Sequence, residues 1–286
     1  VLAIAASNQW RDKPYLVMAT DVKRAYFYAP ARRPVYVEVP EEDKVEGEGD
    51  VVGELQLSLY GTRDAAVNWS NAYTKFLKDS GFEQGRGSPC NFLHPERGIR
   101  LTVHGDDFTS VGSEEDLAWL DAEFKRSFEV KSQTLGPEAR HCQQIRVLNR
   151  IISWTADGIV YEPDPRHAER VMAELGLEAA RSVTSPGCRE DIVKMVKEQE
   201  NSPKLTGKEA TRFRAVCATL NYLSQDRPDI LFAAKEASRK MAAPKETDWM
   251  LLKRIGRYLR CAPRACQLFN CLLYTSDAAD ELRSGG

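Results

Sequence analysis

Three carboxylates are the residues of this 286-residue chain best suited to chemistry: Asp21, at the end of an apolar run, and the pair Asp106-Asp107, which begins 85 residues later. Like charges gathered at one sheet edge repel and raise one another's pKa, so divalent cations are their natural partner. Oxygen-only ligation favours magnesium, with manganese as an alternative. Two such ions about 4 Å apart lower the pKa of an attacking hydroxyl and hold the oxygens of a leaving group. Each part alone has a plainer use, since Asp-Asp in a turn also serves turn chemistry and an aspartate often ends a strand.

The elements around these acids must bring them together. Leu16 to Val22 reads as a strand ending in Asp21. Asn91 to His94 and Ile99 to His104 pair as a hairpin around residues 95–98, and Gly105-Asp106-Asp107 is a tight turn before Phe108 to Val111. Two acids therefore sit at a hairpin tip. Between the two sites, Pro34 to Val39 alternates as a half-buried strand, Pro40 to Gly53 is an acidic loop, and Leu55, Leu57 and Leu59 alternate as another strand. Ala65, Trp69, Ala72, Tyr73, Phe76 and Leu77 then follow a helical period that stops near Gly81. Ser113 to Phe128 has the start and stripe of a surface-packed helix. Ile145 to Trp154 and Gly158 to Glu162 read as strands around a turn, a helix follows over Pro165 to Leu175, and the pattern is helical from about residue 204. The polar stretch Ser182 to Pro203 is the candidate interdomain linker. An α+β domain with a helical appendage is expected.

Composition narrows the class. A 42% hydrophobic content supplies a core, and no run approaches the eighteen or so apolar residues of a membrane helix. The opening Val1 to Ala6 lacks the basic start of a signal peptide, so an intracellular protein is expected. Seven cysteines without a C-x-x-C pair, and four histidines without H-E-x-x-H spacing, give no zinc site. The net charge of −2 hides a contrast. Lys204 to Arg264 holds fourteen Lys or Arg against six Asp or Glu, a face able to meet phosphates, whereas Glu38 to Glu54 holds eight acids and Lys44 alone.

The words around the acids point to one family. Asp21-Val22-Lys23-Arg24-Ala25-Tyr26 resembles the D-V-K-x-A-F motif of copia-type retrotransposon reverse transcriptases. Val35-Tyr36-Val37-Glu38-Val39-Pro40 resembles the family's I-Y-M-x-x-P, Leu59 to Ala65 its L-Y-G-L-K-Q-A, Trp69 the tryptophan that follows, and His104-Gly105-Asp106-Asp107 its Y-V-D-D turn. Gly81-Phe82 also fits. Far downstream, Tyr222 to Ile230 is similar to Y-L-x-x-x-R-P-D-I, and Lys253 to Leu259 to the K-R-x-x-R-Y-L helix. The matches span about residues 16 to 260, and their common order carries the resemblance.

The resemblance implies an RNA-directed DNA polymerase, part of a Pol polyprotein, with a right-hand palm, partial fingers and a mainly helical thumb or connection region. On that basis residues 1–162 are partial fingers and palm, 163–260 the helical region, and 261–286 an atypical tail, disordered or artefactual. It implies two magnesium ions held by Asp21, Asp106 and Asp107 with the carbonyl of Val22. It places Tyr26 beneath the incoming sugar, Tyr60, Gly61 and Arg63 beside the nucleotide, and His104 and Gly105 at the primer end. Lys253, Arg254 and Arg257 would grip duplex phosphate, although a solvated helix face needs the same residues. Gln144 to Arg150 fall where the family holds the primer end. Partners would be primed RNA or DNA, deoxynucleoside triphosphates and the rest of Pol, with no membrane. The cytoplasm or a virus-like particle would house it, or the nucleus.

Three departures stand out: His104-Gly105 for Tyr-Val, Ala66 for proline, and Arg63 for lysine, which keeps a cation of different geometry. The chain starts just before Asp21, so upstream fingers strands are expected to be missing. Two alternatives remain open, an inactive truncated fragment that at most binds nucleic acid and a two-metal nuclease.

Overall fold

A computed structural model describes residues 1–8, 13–44, 49, 51–187, 193, 197–198 and 201–270. The mixture of helix and sheet is the expected α+β class. The chain divides into two compact units, Val1–Val147 with Ser153–Ile159 and Phe269–Gly286, and Leu148–Ile152 with Val160–Leu268.

The first unit is built on a six-stranded sheet. Its strands are β1 (Leu16–Val22), β4 (Glu83–Gln84), β5 (Asn91–Leu93), β6 (Arg100–His104), β7 (Asp107–Gly112) and β8 (Val130–Leu135), in the order β4-β5-β6-β7-β1-β8. All paired neighbours run antiparallel. Alternation then gives the sheet two faces. Leu16, Met18 and Phe108 lie in the core with residues of α2 (Ala65–Asp79) and α3 (Glu114–Ser127). Trp69, Tyr73, Phe108 and Phe128 interlock edge to face, with centroids 5.4–6.3 Å apart. α3 begins where Ser113 caps it by accepting from the Asp116 N–H. A short helix, α1 (Leu2–Ala6), precedes β1 and buries Ala5 and Ala6.

Several expectations are corrected. Leu55 to Leu59 is not a strand; β3 is Val52–Glu54, paired with β2 (Tyr36–Glu38), and beyond it Leu57 makes one isolated bridge to Pro30. The segment is held to residues 29–31 by the Ser58 N–H on the Ala29 carbonyl and the Ala31 N–H on the Gln56 carbonyl, too few bonds for a strand. The expected acidic loop loses its last two residues to β3, and its residues 45–48 and 50 lie outside the described residues. Ile145 to Trp154 is also not one strand. It is β9 (Gln144–Val147) and β10 (Arg150–Thr155), joined at Leu148-Asn149, which both take the left-handed φ of 48° and 65° that such a two-residue hairpin requires. β8 was not expected at all, although Val130 to Leu135 alternates.

The second unit contains α4 (Pro165–Leu175), α5 (Gly207–Leu223), α6 (Leu231–Ser238) and α7 (Trp249–Cys261). They close on Val171, Phe213, Leu220, Ile230, Leu252 and Leu259. Asp164 caps α4, Pro165 opens it and Gly176 ends it at φ 64°, which is why its bounds were legible. The helical pattern does not run on to the end, because β12 (Gln267–Asn270) follows α7, and the expected strand β11 (Gly158–Glu162) precedes α4. Residues 271–286 of the expected tail, and 188–192, 194–196 and 199–200 of the expected linker, lie outside the described residues.

Buried charge in this unit is paired. Asp226 accepts from Arg150 at 2.8 and 3.0 Å and from Tyr161 at 2.6 Å. Burial, then Asp226, pushes the Tyr161 hydroxyl up to about 12. Arg227, 2% exposed, holds Asp229 through two bonds, and Tyr258 donates to the same carboxylate. Glu162 takes both its bonds from Arg264.

Candidate active site

β6 and β7 are joined by the two-residue turn Gly105-Asp106, with His104 directly opposite Asp107. Gly105 has φ 67°, a value glycine adopts without penalty at the first centre of such a turn. Asp21 lies opposite Asp107 on one side and opposite Lys131 of β8 on the other. Directly opposed residues share a face, with Cβ atoms about 4.5–5.5 Å apart. His104, Asp107, Asp21 and Lys131 therefore form one row across four strands.

Two hydrogen bonds fix the turn in this register. The Val22 N–H donates to the Asp106 carbonyl at 3.1 Å, tying the end of β1 to the tip. The Trp69 indole N–H donates to the Gly105 carbonyl at 2.9 Å, tying the tip to α2. Trp69 is 1% exposed, so the tip stands on the aromatic core. Asp21, Asp106, His104 and Gly105 are exposed, and Asp107 is half-buried. Burial, then the charges of Asp106 and Asp21, raises the Asp107 carboxyl above its ordinary value, with His104 pulling the other way. Three acids are thus brought within electrostatic reach of one another at an open sheet edge.

The donor chemistry fits a hard divalent cation. Among the described residues no three Asp, Glu, His or Cys side chains are gathered so as to hold an ion unaided. Magnesium rarely has an all-protein cage; one or two carboxylates with waters and substrate phosphates normally complete its shell. The acids at the tip match that partial set.

Tyr26 and Tyr60, both expected beside the nucleotide, are in contact. The 3-10 turn Ala25–Tyr28 follows Arg24, which takes a left-handed φ of 55°. It brings Tyr26 against Tyr60, with ring centroids 4.3 Å apart and planes 31° from parallel, and Phe27 meets the same ring edge-on at 5.7 Å. Tyr60 and Gly61 are the centre of a turn closed by the Thr62 N–H on the Leu59 carbonyl at 3.1 Å. Gly61 has φ 93°, the requirement of the third position in a type II turn. Arg63 is exposed beside it. Lys23 and Arg24 both pair with Glu129, at 2.6 and 2.8 Å.

Lys253, Arg254 and Arg257 lie on α7 in the second unit. Arg254 donates to the Ser185 carbonyl at 3.1 Å and Arg257 to the Arg181 carbonyl at 2.7 Å, while Lys253 is exposed. Two of the three expected phosphate ligands thus hold the chain's own backbone. Sequence reasoning did not reach the Trp69 bond, Lys131 or Glu129. Only the unread alternation of β8 signalled the position of Lys131.

The family model described as "Reverse transcriptase (RNA-dependent DNA polymerase)" matches residues 1–143. The chain is 28% identical to the Retrovirus-related Pol polyprotein from transposon TNT 1-94 of Nicotiana tabacum, over 94% of this chain and 20% of that protein. It is 26% identical to that from transposon RE2 of Arabidopsis thaliana, over 92% of this chain and 17% of that protein. A 93-residue stretch, 32% of this chain, is 31% identical to 8% of the truncated transposon Ty1-A Gag-Pol polyprotein of Saccharomyces cerevisiae. The chain spans about a fifth of the two plant relatives. Among the described residues no helix is long and apolar enough to cross a membrane. The chain belongs to the reverse transcriptase family, in its copia-type retrotransposon branch.

Proposed function

We propose that this chain is the polymerase part of a copia-type Pol polyprotein and extends a primer with deoxynucleotides on an RNA or DNA template. The observation that carries the reading is the position of Asp21 opposite Asp107, with the Asp106 carbonyl bound by Val22. In this reading residues 1–162 are palm with partial fingers and the helical region 163–260 is thumb or connection. Asp21, Asp106, Asp107 and the Val22 carbonyl hold two magnesium or manganese ions. Bound there, such ions lower the pKa of the primer 3′-hydroxyl and neutralise charge on the departing pyrophosphate.

The chain's own groups do the rest. Trp69 and Val22 keep the tip rigid, so the carboxylates need not reorganise when substrate arrives. Tyr26 lies beneath the sugar and leaves no room for a 2′-hydroxyl. Tyr60, Gly61 and Arg63 flank the nucleotide, and His104 and Gly105 meet the primer end. For duplex phosphate, Lys253 is the best placed of the three α7 cations, since the guanidiniums of Arg254 and Arg257 serve residues 181–185. No protein nucleophile takes part.

The test is primer extension by the purified chain on an RNA template with magnesium and deoxynucleotides, beside Asp106→Asn. Extension is expected from the parent chain and a loss of about a thousandfold, or about 4 kcal/mol of barrier, in the variant. Equal extension by both would overturn the assignment. Extension by neither would favour the inactive-fragment alternative.

A further inference from the structure

We infer that Tyr60 sets sugar selectivity by acting through Tyr26, as a positioning residue that holds the Tyr26 ring in place. The inference rests on the proposed polymerase reading and deepens it.

Tyr26 packs only in part against the buried core, so part of its ring must be held from elsewhere. It is half-buried on a four-residue 3-10 turn that follows a left-handed residue, and its neighbour Phe27 is 39% exposed. An aromatic side chain on so short a turn discriminates between a hydrogen and a hydroxyl only if something blocks its motion, because the two substrates differ by one oxygen atom. The ring that blocks it is Tyr60, stacked at 4.3 Å and gripped from another side by Phe27 at 5.7 Å. Such pairs stabilise beyond burial, enough to bias one orientation.

Tyr60 can serve because its own backbone is pinned. The segment before it lies along residues 29–31, through Ser58 N–H to the Ala29 carbonyl at 2.8 Å and Ala31 N–H to the Gln56 carbonyl at 3.0 Å. The buried Asn68 amide donates to Ser58 Oγ at 3.0 Å and to the Asp64 carboxylate at 3.3 Å, one bond on each side of the Tyr60-Gly61 turn. Arg33 pairs with the same Asp64 at 3.1 Å. The same contacts that build the turn therefore fix the distance between the two rings. Tyr60 is 47% exposed, so its replacement removes the stack with little cost to the core.

The experiment compares kcat/KM for a deoxynucleotide and its ribonucleotide in the parent chain, Tyr26→Ala, Tyr60→Ala, Tyr60→Phe and the Tyr26→Ala/Tyr60→Ala pair. Tyr60→Ala is expected to lower the preference for the deoxynucleotide about tenfold, the size of effect expected from loosening one wall of a pocket. Tyr60→Phe, which keeps the ring, should retain it. On the Tyr26→Ala background, Tyr60→Ala should change the preference no further. An unchanged preference in Tyr60→Ala, or a further fall in the double variant, overturns the inference. A Tyr26→Ala variant as selective as the parent overturns instead the underlying placement of Tyr26. If the parent does not turn over, the ratio of dATP to ATP affinity in manganese reads the same preference by equilibrium dialysis, with the same outcomes deciding.

Discussion

Two sets of acids in this molecule are held in opposite ways. In one, Asp226, Asp229, Asp164 and Glu162 of the second unit each meet a guanidinium, and tyrosine hydroxyls also donate to Asp226 and Asp229. In the other set, at the hairpin tip, Asp107 is raised by burial and then by the charges of Asp106 and Asp21. A carboxylate with an internal partner holds the fold together. A set of carboxylates without one costs stability and marks a place where a cation from outside is wanted.

That contrast can be broken most forcefully at Asp226. Replacing it with Ala strands the Arg150 guanidinium and should cost about 3 kcal/mol in chemical denaturation, the scale for breaking a largely buried pair. The opposite is expected at the tip, where Asp107→Asn should leave the unfolding midpoint unchanged or raise it, since like-charge repulsion is removed. A clear loss there would mean that the tip acids stabilise the fold. Trp69→Phe removes one hydrogen bond and should cost about 1 kcal/mol in denaturation. Its larger signature should be slower extension, because the Gly105 turn loses its tether.

The smallest effect concerns pH. Asp107 is raised in the folded state, so its contribution favours folding at low pH and is lost as pH rises through its folded value. Asp164 is lowered to about 2, chiefly by Arg166, so its contribution is present above 3.8 and is lost as pH falls towards 2. Stability curves of Asp107→Asn and Asp164→Asn against pH should therefore depart from the parent in opposite directions. The same direction in both would remove the distinction between the two sets of acids.

What was legible in the sequence follows the range of the interactions. α3 and α4 carry their caps and periods locally, and the turn at Gly105 announces itself by residue type. The meeting of Asp21 with Asp107 depends on strand pairing across 86 residues, and only ordered motifs made it readable. The hairpin at Leu148-Asn149 escaped notice because leucine is a poor residue for positive φ, and nothing in the alternation of Ile145 to Trp154 marks the reversal. Trp69 read as a core residue, which it is; that its one polar atom grips the tip is a fact of three dimensions.

One feature of the large sheet also governs how the protein behaves in company. Its β4 rim offers two residues of backbone, Glu83 and Gln84, and its β8 rim carries Lys131 and Gln133, both exposed. Short rims and charged rims are poor templates for a strand from another molecule. Edge-to-edge growth into aggregates is therefore disfavoured at both ends of the sheet that holds the acids, even where many copies are crowded together.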